Sequence, residues 1–215
     1  MPPVPETITL HAADGVALTA DVAHGRPDAG ALVLCHPHPL YGGTRHDAVI
    51  GAVWRASLDA GRTAIRFDFR REHDRGEAER LDVAAAIAAV APERVLLVGY
   101  SFGSFVALRV DDPAVTGWVG IAPIVADPDP TDRGAGVDRV AGVDDRPTLL
   151  IAARHDQFVP IGRLREVTAT WRSTTVVELP GADHFLAGHH ARVAEEVTGF
   201  ADRVLGPAAA ATCPG

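Results

Sequence analysis

Short apolar runs alternate with amphipathic segments along most of the chain, and this alternation predicts its secondary structure. Two alternating segments joined by Asp14-Gly15 are typical of an antiparallel hairpin, because an Asp-Gly pair favours the tight turn of such hairpins. The later apolar runs are continuous, which is typical of strands buried on both faces of a sheet. The predicted strands are 7–11, 16–22, 31–35, 63–69, 94–99, 115–122, 148–153 and 174–179.

Helical patterns separate most of these strands. Apolar residues recur every three or four positions within 46–60, 77–91, 161–171 and 193–204, and Gly or Pro follows several of these segments. Strands that alternate with helices of this length imply crossover connections between parallel strands. We therefore predict an α/β fold with a mostly parallel, twisted sheet of about eight strands, an antiparallel first hairpin and helices on both faces.

Composition and length are typical of an ordinary globular domain. The chain has 215 residues, of which 47% are apolar and 22% charged. We expect a single domain over 1–207, with a long loop or minimal cap at 126–146 and a flexible tail at 208–215. No apolar run approaches the roughly 18 residues of a membrane span, and no signal peptide is recognisable, so we expect a cytoplasmic protein without a membrane partner.

Charge and cysteine content exclude further classes. The net charge is −8 and the arginines are scattered, so we expect no nucleic-acid partner. Cys35 lies in an apolar strand and Cys213 in the tail, which predicts free thiols and a core role for Cys35 rather than a nucleophilic one. A monomer and a homodimer both remain open.

Ser101 lies in the segment Gly99-Tyr100-Ser101-Phe102-Gly103, between a predicted strand and a predicted helix. In that context a G-x-S-x-G turn exposes a strained serine, because the two glycines let the chain fold tightly. The start of the following helix also favours negative charge that develops beside the serine. We therefore predict that Ser101 is a nucleophile.

A nucleophilic serine needs a base, and the base needs a third group that orients it. In α/β hydrolases the acid follows the nucleophile along the chain, and the histidine follows the acid. Asp156 comes directly after the strand at 148–153, and His184 comes after the strand at 174–179. We therefore predict Asp156 as the orienting carboxylate and His184 as the base.

Neighbouring residues are alternatives to this assignment. His155 adjoins the predicted acid, where a loop contact is its expected role. Asp183 could replace Asp156, although a residue that directly precedes His184 usually points its side chain elsewhere. His189 and His190 begin the last helical pattern, and we expect them to face solvent or to cap that helix.

Acyl chemistry also needs two backbone N–H donors for the developing oxyanion. One donor normally comes from the residue after the nucleophile, here Phe102, and the other from the loop after the third strand. Pro37 and Pro39 have no N–H, so His38 or a residue within 40–43 supplies the second donor, and we favour His38. A His-x-His pair can bind zinc, but no third ligand has a familiar spacing, so we predict no metal.

Several segments together resemble a known family. They are H-P-H-P-L-Y-G-G-T, the strand ending F-D-F-R, G-Y-S-F-G, R-H-D-Q-F-V-P and G-A-D-H-F. The chain is similar over residues 5–205 to small bacterial α/β-hydrolase proteins without a lid, related to the serine-peptidase-like and dienelactone-hydrolase-like branches. The resemblance implies the α/β-hydrolase fold without a large lid, no cofactor, and Ser101, Asp156 and His184 as catalytic residues.

The segment 70–76 departs from the family pattern, which usually has a glycine-rich turn there. We expect either a polar, altered entrance beside the fourth strand or a solvated charged loop.

Substrate-pocket candidates are the apolar residues beside the catalytic loops, namely Leu40, Tyr41, Tyr100, Phe158 and Phe185.

The expected function is hydrolysis of a small ester or related acyl compound through an acyl-enzyme intermediate. The absence of an insertion large enough for a hydrophobic lid favours short-chain carboxylesters. Three alternatives remain: an amidase or peptidase with the same triad, acyl transfer to an alcohol or amine, and a non-catalytic binding protein with this fold.

Overall fold

The computed structural model describes residues 3–72, 75–90, 94–125 and 140–207. The strands are β1 (Glu6–His11), β2 (Ala17–Ala23), β3 (Ala31–Cys35), β4 (Thr63–Phe67), β5 (Val95–Tyr100), β6 (Val115–Ile121), β7 (Thr148–Ala153) and β8 (Thr174–Leu179). The helices are α1 (Ala48–Asp59), α2 (Glu79–Val90), α3 (Phe102–Ala107), α4 (Val140–Val143), α5 (Ile161–Thr168) and α6 (His190–Leu205).

All of these strands belong to one sheet, in the order β1-β2-β4-β3-β5-β6-β7-β8. β2 is antiparallel to β1 and to β4, and the remaining neighbours are parallel. The predicted α/β architecture, with its antiparallel first hairpin, is therefore confirmed. The loops that follow β3, β5, β7 and β8 all lie at the carboxyl ends of the strands, on one side of the sheet, because parallel strands share one direction.

Helices cover both faces of the sheet, and side chains along each strand alternate between them. In β3, for example, Val33 and Cys35 pack on the side of α2 and α3, whereas Leu32 and Leu34 pack on the side of α1 and α6. This alternation follows from the two-residue period of a strand. Because both faces are covered, the central strands consist of almost continuous apolar residues.

β8 differs from its prediction. We expected a strand buried on both faces, but most of its residues are only partly buried. β8 is the last strand of the order and, within the described ranges, pairs only with β7, so it is an edge strand. Glu178 on this strand accepts a hydrogen bond from Arg165 of α5 and forms an ion pair with Arg154, so charged side chains lie on its partly exposed surface.

The predicted loop at 126–146 lies outside the described residues except for 140–146, and the predicted tail at 208–215 lies wholly outside them. Residues 140–143 form the short helix α4, in which Ala141 is buried. Four residues are too few for a helical period to be visible in the sequence. Within the described ranges, no helix is both long and apolar enough to cross a membrane.

Candidate active site

Ser101 occupies the turn between β5 and α3 with a strained backbone. Its φ of 53° and ψ of −116° lie where non-glycine residues are rare. The Ser101 amide donates to the carbonyl of Ile121 on β6 at 2.9 Å, and the Ser104 hydroxyl donates to the Ser101 carbonyl at 2.6 Å. These two bonds hold the residue from both sides, and its side chain remains partly exposed.

The flanking glycines are required by close backbone approach. A Cβ atom on Gly99 would lie 2.3 Å from the carbonyl oxygen of Gly103, and one on Gly103 would lie 2.1 Å from the carbonyl oxygen of Cys35. No side chain fits at either distance. The turn can therefore sit against the end of β3 only with glycine at both positions.

His184 joins Ser101 to Asp156. Its Nε2 atom lies 2.9 Å from Ser101 Oγ, and its Nδ1 atom lies 2.8 Å from Asp156 Oδ2. Asp156 comes from the loop after β7 and His184 from the loop after β8, so three loops at one sheet edge supply the three groups. Both the acid and the imidazole are buried, with 7% and 5% of their surface exposed.

The second carboxylate oxygen of Asp156 holds its own loop. Oδ1 accepts hydrogen bonds from the amides of Phe158 at 2.8 Å and Val159 at 2.9 Å. Burial opposes ionisation of Asp156, but the hydrogen bonds from His184 and these amides outweigh it and hold the pKa of the carboxyl below its usual value. Asp156 is thus an anion that fixes the imidazole with a proton on Nδ1.

The alternative acid and bases are placed differently. Asp183 is exposed, and its carboxylate accepts the amide of Phe185 at 3.0 Å instead of contacting the imidazole. His155 is exposed, and its amide donates to the carbonyl of Ala182. His189 occupies the N-cap position of α6 without a side-chain capping bond, and His190 is half-buried.

The loop after β3 uses most of its N–H groups internally. The Leu40 amide donates to His38 Nδ1, those of Tyr41 and Gly43 donate to the His38 carbonyl, and that of Gly42 donates to the Pro39 carbonyl, each at 3.1 Å. These contacts engage the N–H groups of residues 40–43 within the loop. The His38 ring lies 4.7 Å from the ring of Phe102, the other predicted donor.

His36, considered from the sequence only as one half of a His-x-His pair, has a structural role in this loop. Its buried Nε2 atom accepts the amide of Phe69 at 3.0 Å, so Nδ1 carries the proton and donates to the Pro37 carbonyl at 2.5 Å. Burial lowers the pKa of His36, which favours this neutral form. The C=O and N–H of a trans peptide point in opposite directions, so the bond to Pro37 also orients the N–H of His38.

A family model described as serine hydrolase matches residues 54–195, about two thirds of the chain, and the match includes Ser101, Asp156 and His184. The chain belongs to the serine hydrolase family.

Solved structures share the fold of this serine hydrolase. XC6422 from Xanthomonas campestris, a member of a/b serine hydrolases without lid, is 26% identical, with 95% of both chains covered and a TM-score of 0.73. A serine hydrolase homologue from Coxiella burnetii is 22% identical, with 89% of this chain and 95% of that chain covered and a TM-score of 0.73. The Pyrococcus furiosus esterase Pf2001 is 17% identical, with 95% and 92% covered and a TM-score of 0.80. The predicted α/β-hydrolase resemblance is therefore confirmed.

A curated relative matches part of the sequence. The uncharacterized protein RP471 from Rickettsia prowazekii is 29% identical over 112 residues, which are 46% of this serine hydrolase and 47% of that protein. The aligned region thus spans about half the length of the relative.

Four of the five predicted pocket residues are exposed at the site of this serine hydrolase. Leu40, Tyr41, Phe158 and Phe185 have 71%, 89%, 61% and 59% of their surface exposed, and we call these four residues the apolar rim. Tyr100 differs, because it is buried and its hydroxyl donates to the carbonyl of His184 at 3.0 Å. This hydrogen bond supports the loop that carries His184.

The departure at 70–76 has a structural role at its first residue. Arg70 is buried and binds Asp82 of α2 through Nε and Nη2 at 2.9 and 2.7 Å, and Asp14 of the first hairpin through Nη1 at 2.6 Å. The expected solvated loop is therefore wrong for Arg70, whereas the expected altered entrance stays a prediction. The next two residues of the segment are exposed, and residues 73–74 lie outside the described part of the chain.

Proposed function

We propose that this serine hydrolase is a carboxylesterase that cleaves small esters, with Ser101 as nucleophile, His184 as base and Asp156 as orienting acid. The observation that carries the proposal is the 2.9 Å contact between Ser101 Oγ and His184 Nε2. The imidazole in that contact is held at its other nitrogen by Asp156. A serine hydroxyl becomes a useful nucleophile when a base in this position accepts its proton.

In the acylation step, Ser101 Oγ forms a bond to the carbonyl carbon of the ester while His184 Nε2 takes the hydroxyl proton. The carbonyl oxygen becomes an oxyanion, which accepts hydrogen bonds from the amides of Phe102 and His38. The bond to the alcohol oxygen then breaks, and His184 returns the proton to that oxygen. The products are a free alcohol and an acyl group on Ser101.

In the second step, water replaces the alcohol. His184 takes a proton from the water molecule while the water oxygen bonds to the acyl carbon, and the same amides bind the oxyanion. The bond to Ser101 Oγ breaks, and His184 protonates that oxygen. The enzyme returns to its starting state, and no oxidant, reductant or cofactor enters the balance.

Exposure at the site supports a small substrate. The apolar rim is open to solvent, and the described residues include no helix or loop that covers it. XC6422, which shares 26% of its residues with this chain, is also a serine hydrolase without a lid. A rim that the described residues leave open provides little apolar surface for a long acyl chain, which favours short-chain esters.

A fluorophosphonate probe tests this assignment. We expect the probe to label the folded wild type at Ser101 and to label neither Ser101→Ala nor His184→Ala. Asp183→Asn is a matched control, because Asp183 is acidic and adjacent to His184 but lies off the imidazole, and we expect it to be labelled like the wild type. A folded wild type that stays unlabelled would contradict the proposal.

A substrate panel tests the ester preference. We expect p-nitrophenyl acetate and butyrate to be hydrolysed faster than the palmitate ester, and faster than aminoacyl anilides. A preference for palmitate would contradict the open-site argument, and a preference for the anilides would make the protein an amidase with the same three residues.

A further inference from the structure

Two exposed phenylalanines of the apolar rim flank the catalytic imidazole. We propose that Phe158 and Phe185 bind the alcohol part of the ester and select substrates with an aromatic leaving group, such as benzyl or aryl esters. This proposal rests on the proposed function, because it assigns the leaving-group side of the same site.

Ring contacts place both side chains at His184. The ring of Phe158 lies 4.7 Å from the imidazole centroid at an interplanar angle of 68°, and that of Phe185 lies 5.9 Å away at 87°. The two phenyl rings lie 6.4 Å apart at 84°. The three rings therefore meet edge to face, the arrangement that aromatic groups prefer.

Backbone contacts hold the two phenylalanines in place. The amide of Phe158 donates to Asp156 at 2.8 Å, and the amide of Phe185 donates to Asp183 at 3.0 Å. Each ring nevertheless has about 60% of its surface exposed, at 61% and 59%. Exposed apolar side chains that lie together, as these two do, mark a binding site more often than singly exposed ones.

The proton path decides which part of the ester these rings meet. His184 must give its Nε2 proton to the departing alcohol oxygen, so that oxygen lies beside the imidazole. The carbonyl oxygen instead points toward the amides of Phe102 and His38. Leu40 and Tyr41 belong to the His38 loop, whereas Phe158 and Phe185 belong to the imidazole side. The alcohol part therefore contacts the two phenylalanines.

The expected selectivity is moderate. A substrate ring that covers about 50 Å² of apolar surface on each phenylalanine, at about 25 cal/mol per Å², gains roughly tenfold in kcat/KM from each of the two contacts. Benzyl acetate and ethyl acetate share the acyl group and differ only in the alcohol. Each variant is compared with wild type on the same ester, so the difference in intrinsic reactivity between the two esters cancels.

The experiment measures kcat/KM for both acetates with Phe158→Ala, Phe185→Ala and the wild type. We expect each variant to lose about tenfold on benzyl acetate and at most about twofold on ethyl acetate. Val143→Ala is the control, since Val143 is an exposed apolar residue of α4. This helix precedes β7 and lies at the amino ends of the strands, whereas the site lies at their carboxyl ends. We expect its ratio of kcat/KM on benzyl acetate to kcat/KM on ethyl acetate to equal that of wild type.

Equal losses on both acetates would overturn the proposal, because the rings would then only support His184. An unchanged ratio at normal activity would overturn it as well. Failure of the proposed function gives a different result: the wild type would hydrolyse neither ester and would not react with the fluorophosphonate probe.

Discussion

Asp156 uses its two carboxylate oxygens for two tasks. Oδ2 holds the imidazole of His184, while Oδ1 accepts the amides of Phe158 and Val159 and shapes the loop that carries one side of the apolar rim. The residue therefore links the orientation of the His184 imidazole to the position of Phe158, the proposed substrate contact. Asp183, which directly precedes His184, is also a carboxylate, but in the contacts described it accepts hydrogen bonds only within its own loop.

Asp156→Asn separates these tasks. The amide oxygen can still accept the two backbone N–H groups, so the side-chain NH₂ faces His184 Nδ1 and favours the tautomer with its proton on Nε2. That nitrogen can no longer accept the Ser101 proton. We expect kcat to fall about 10³ to 10⁴-fold in a variant that is less stable than wild type but still folded at neutral pH, measured on p-nitrophenyl acetate with thermal unfolding as control. Near wild-type turnover would exclude Asp156 as the orienting acid.

The lowered pKa of Asp156 predicts a stability change in acid. A carboxyl whose pKa is lower in the folded state stabilises the fold above its unfolded value of 3.8, and this contribution is lost as the pH falls through the folded value. We expect the free-energy difference between wild type and Asp156→Asn to be constant from about pH 7 to about pH 5 and to shrink below about pH 4. Denaturant titrations at each pH measure it, and a difference that grows in acid would contradict the assignment.

His36 allows a matched pair of substitutions. In His36→Asn the amide can take the position of Nδ1 and keep the bond to Pro37, whereas in His36→Gln it can take the position of Nε2 and keep the bond to Phe69. If His36 orients the His38 amide through Pro37, Gln should lower kcat by up to about 10²-fold, the value of one oxyanion donor, and Asn should lower it less. KM should change little in both. The reverse order of activities would contradict this positioning role.

At the scale of the elements, the turn from β5 to α3 depends on glycine. We expect Gly103→Ala to cost about 3 kcal/mol or more in unfolding free energy, because its Cβ would overlap the backbone at the end of β3. Gly199→Ala is the control, since Gly199 lies inside α6 with the nearest side-chain atom 3.8 Å from an added Cβ. Helix propensity predicts that it stabilises by roughly 0.5 to 1 kcal/mol. Equal effects of the two substitutions would refute the close-approach argument.

Most elements could be predicted from the sequence because their signals are local. Continuous apolar runs identified the central strands, and the spacing of Gly99, Ser101 and Gly103 identified the turn. Three polar residues of β8, Thr174, Thr175 and Glu178, distinguish it from the central strands, but its edge position depends on the order of the sheet, which no local pattern gives. The role of His36 depends on Phe69, 33 residues away, which no local pattern reveals.

Arg70 connects three parts of the fold through ion pairs. It follows β4, and its guanidinium binds Asp14 of the first hairpin and Asp82 of α2. Burial raises the pKa of Asp82, while the hydrogen bonds from Arg70 act in the opposite direction. The sequence showed a charged segment after the fourth strand, but its two partners are 56 and 12 residues away, so the fold had to be known first.

Removing this arginine should destabilise the whole protein. Arg70→Ala leaves the fully buried Asp82 without its cationic partner, and we expect a loss of about 3 to 5 kcal/mol in unfolding free energy. The double variant Arg70→Ala with Asp82→Asn should recover part of the loss, because no buried anion remains. Denaturant unfolding measures both, and a single variant as stable as wild type would contradict a structural role.

The acyl-enzyme is the central claim, and mass spectrometry of an acid-quenched reaction tests it most directly. Wild type mixed with p-nitrophenyl acetate is stopped within one turnover and digested. We predict one acetyl group on the peptide that contains Ser101, and none in Ser101→Ala. Ester hydrolysis at the wild-type rate by Ser101→Ala, or an acetyl group formed at another residue during turnover, would contradict the account.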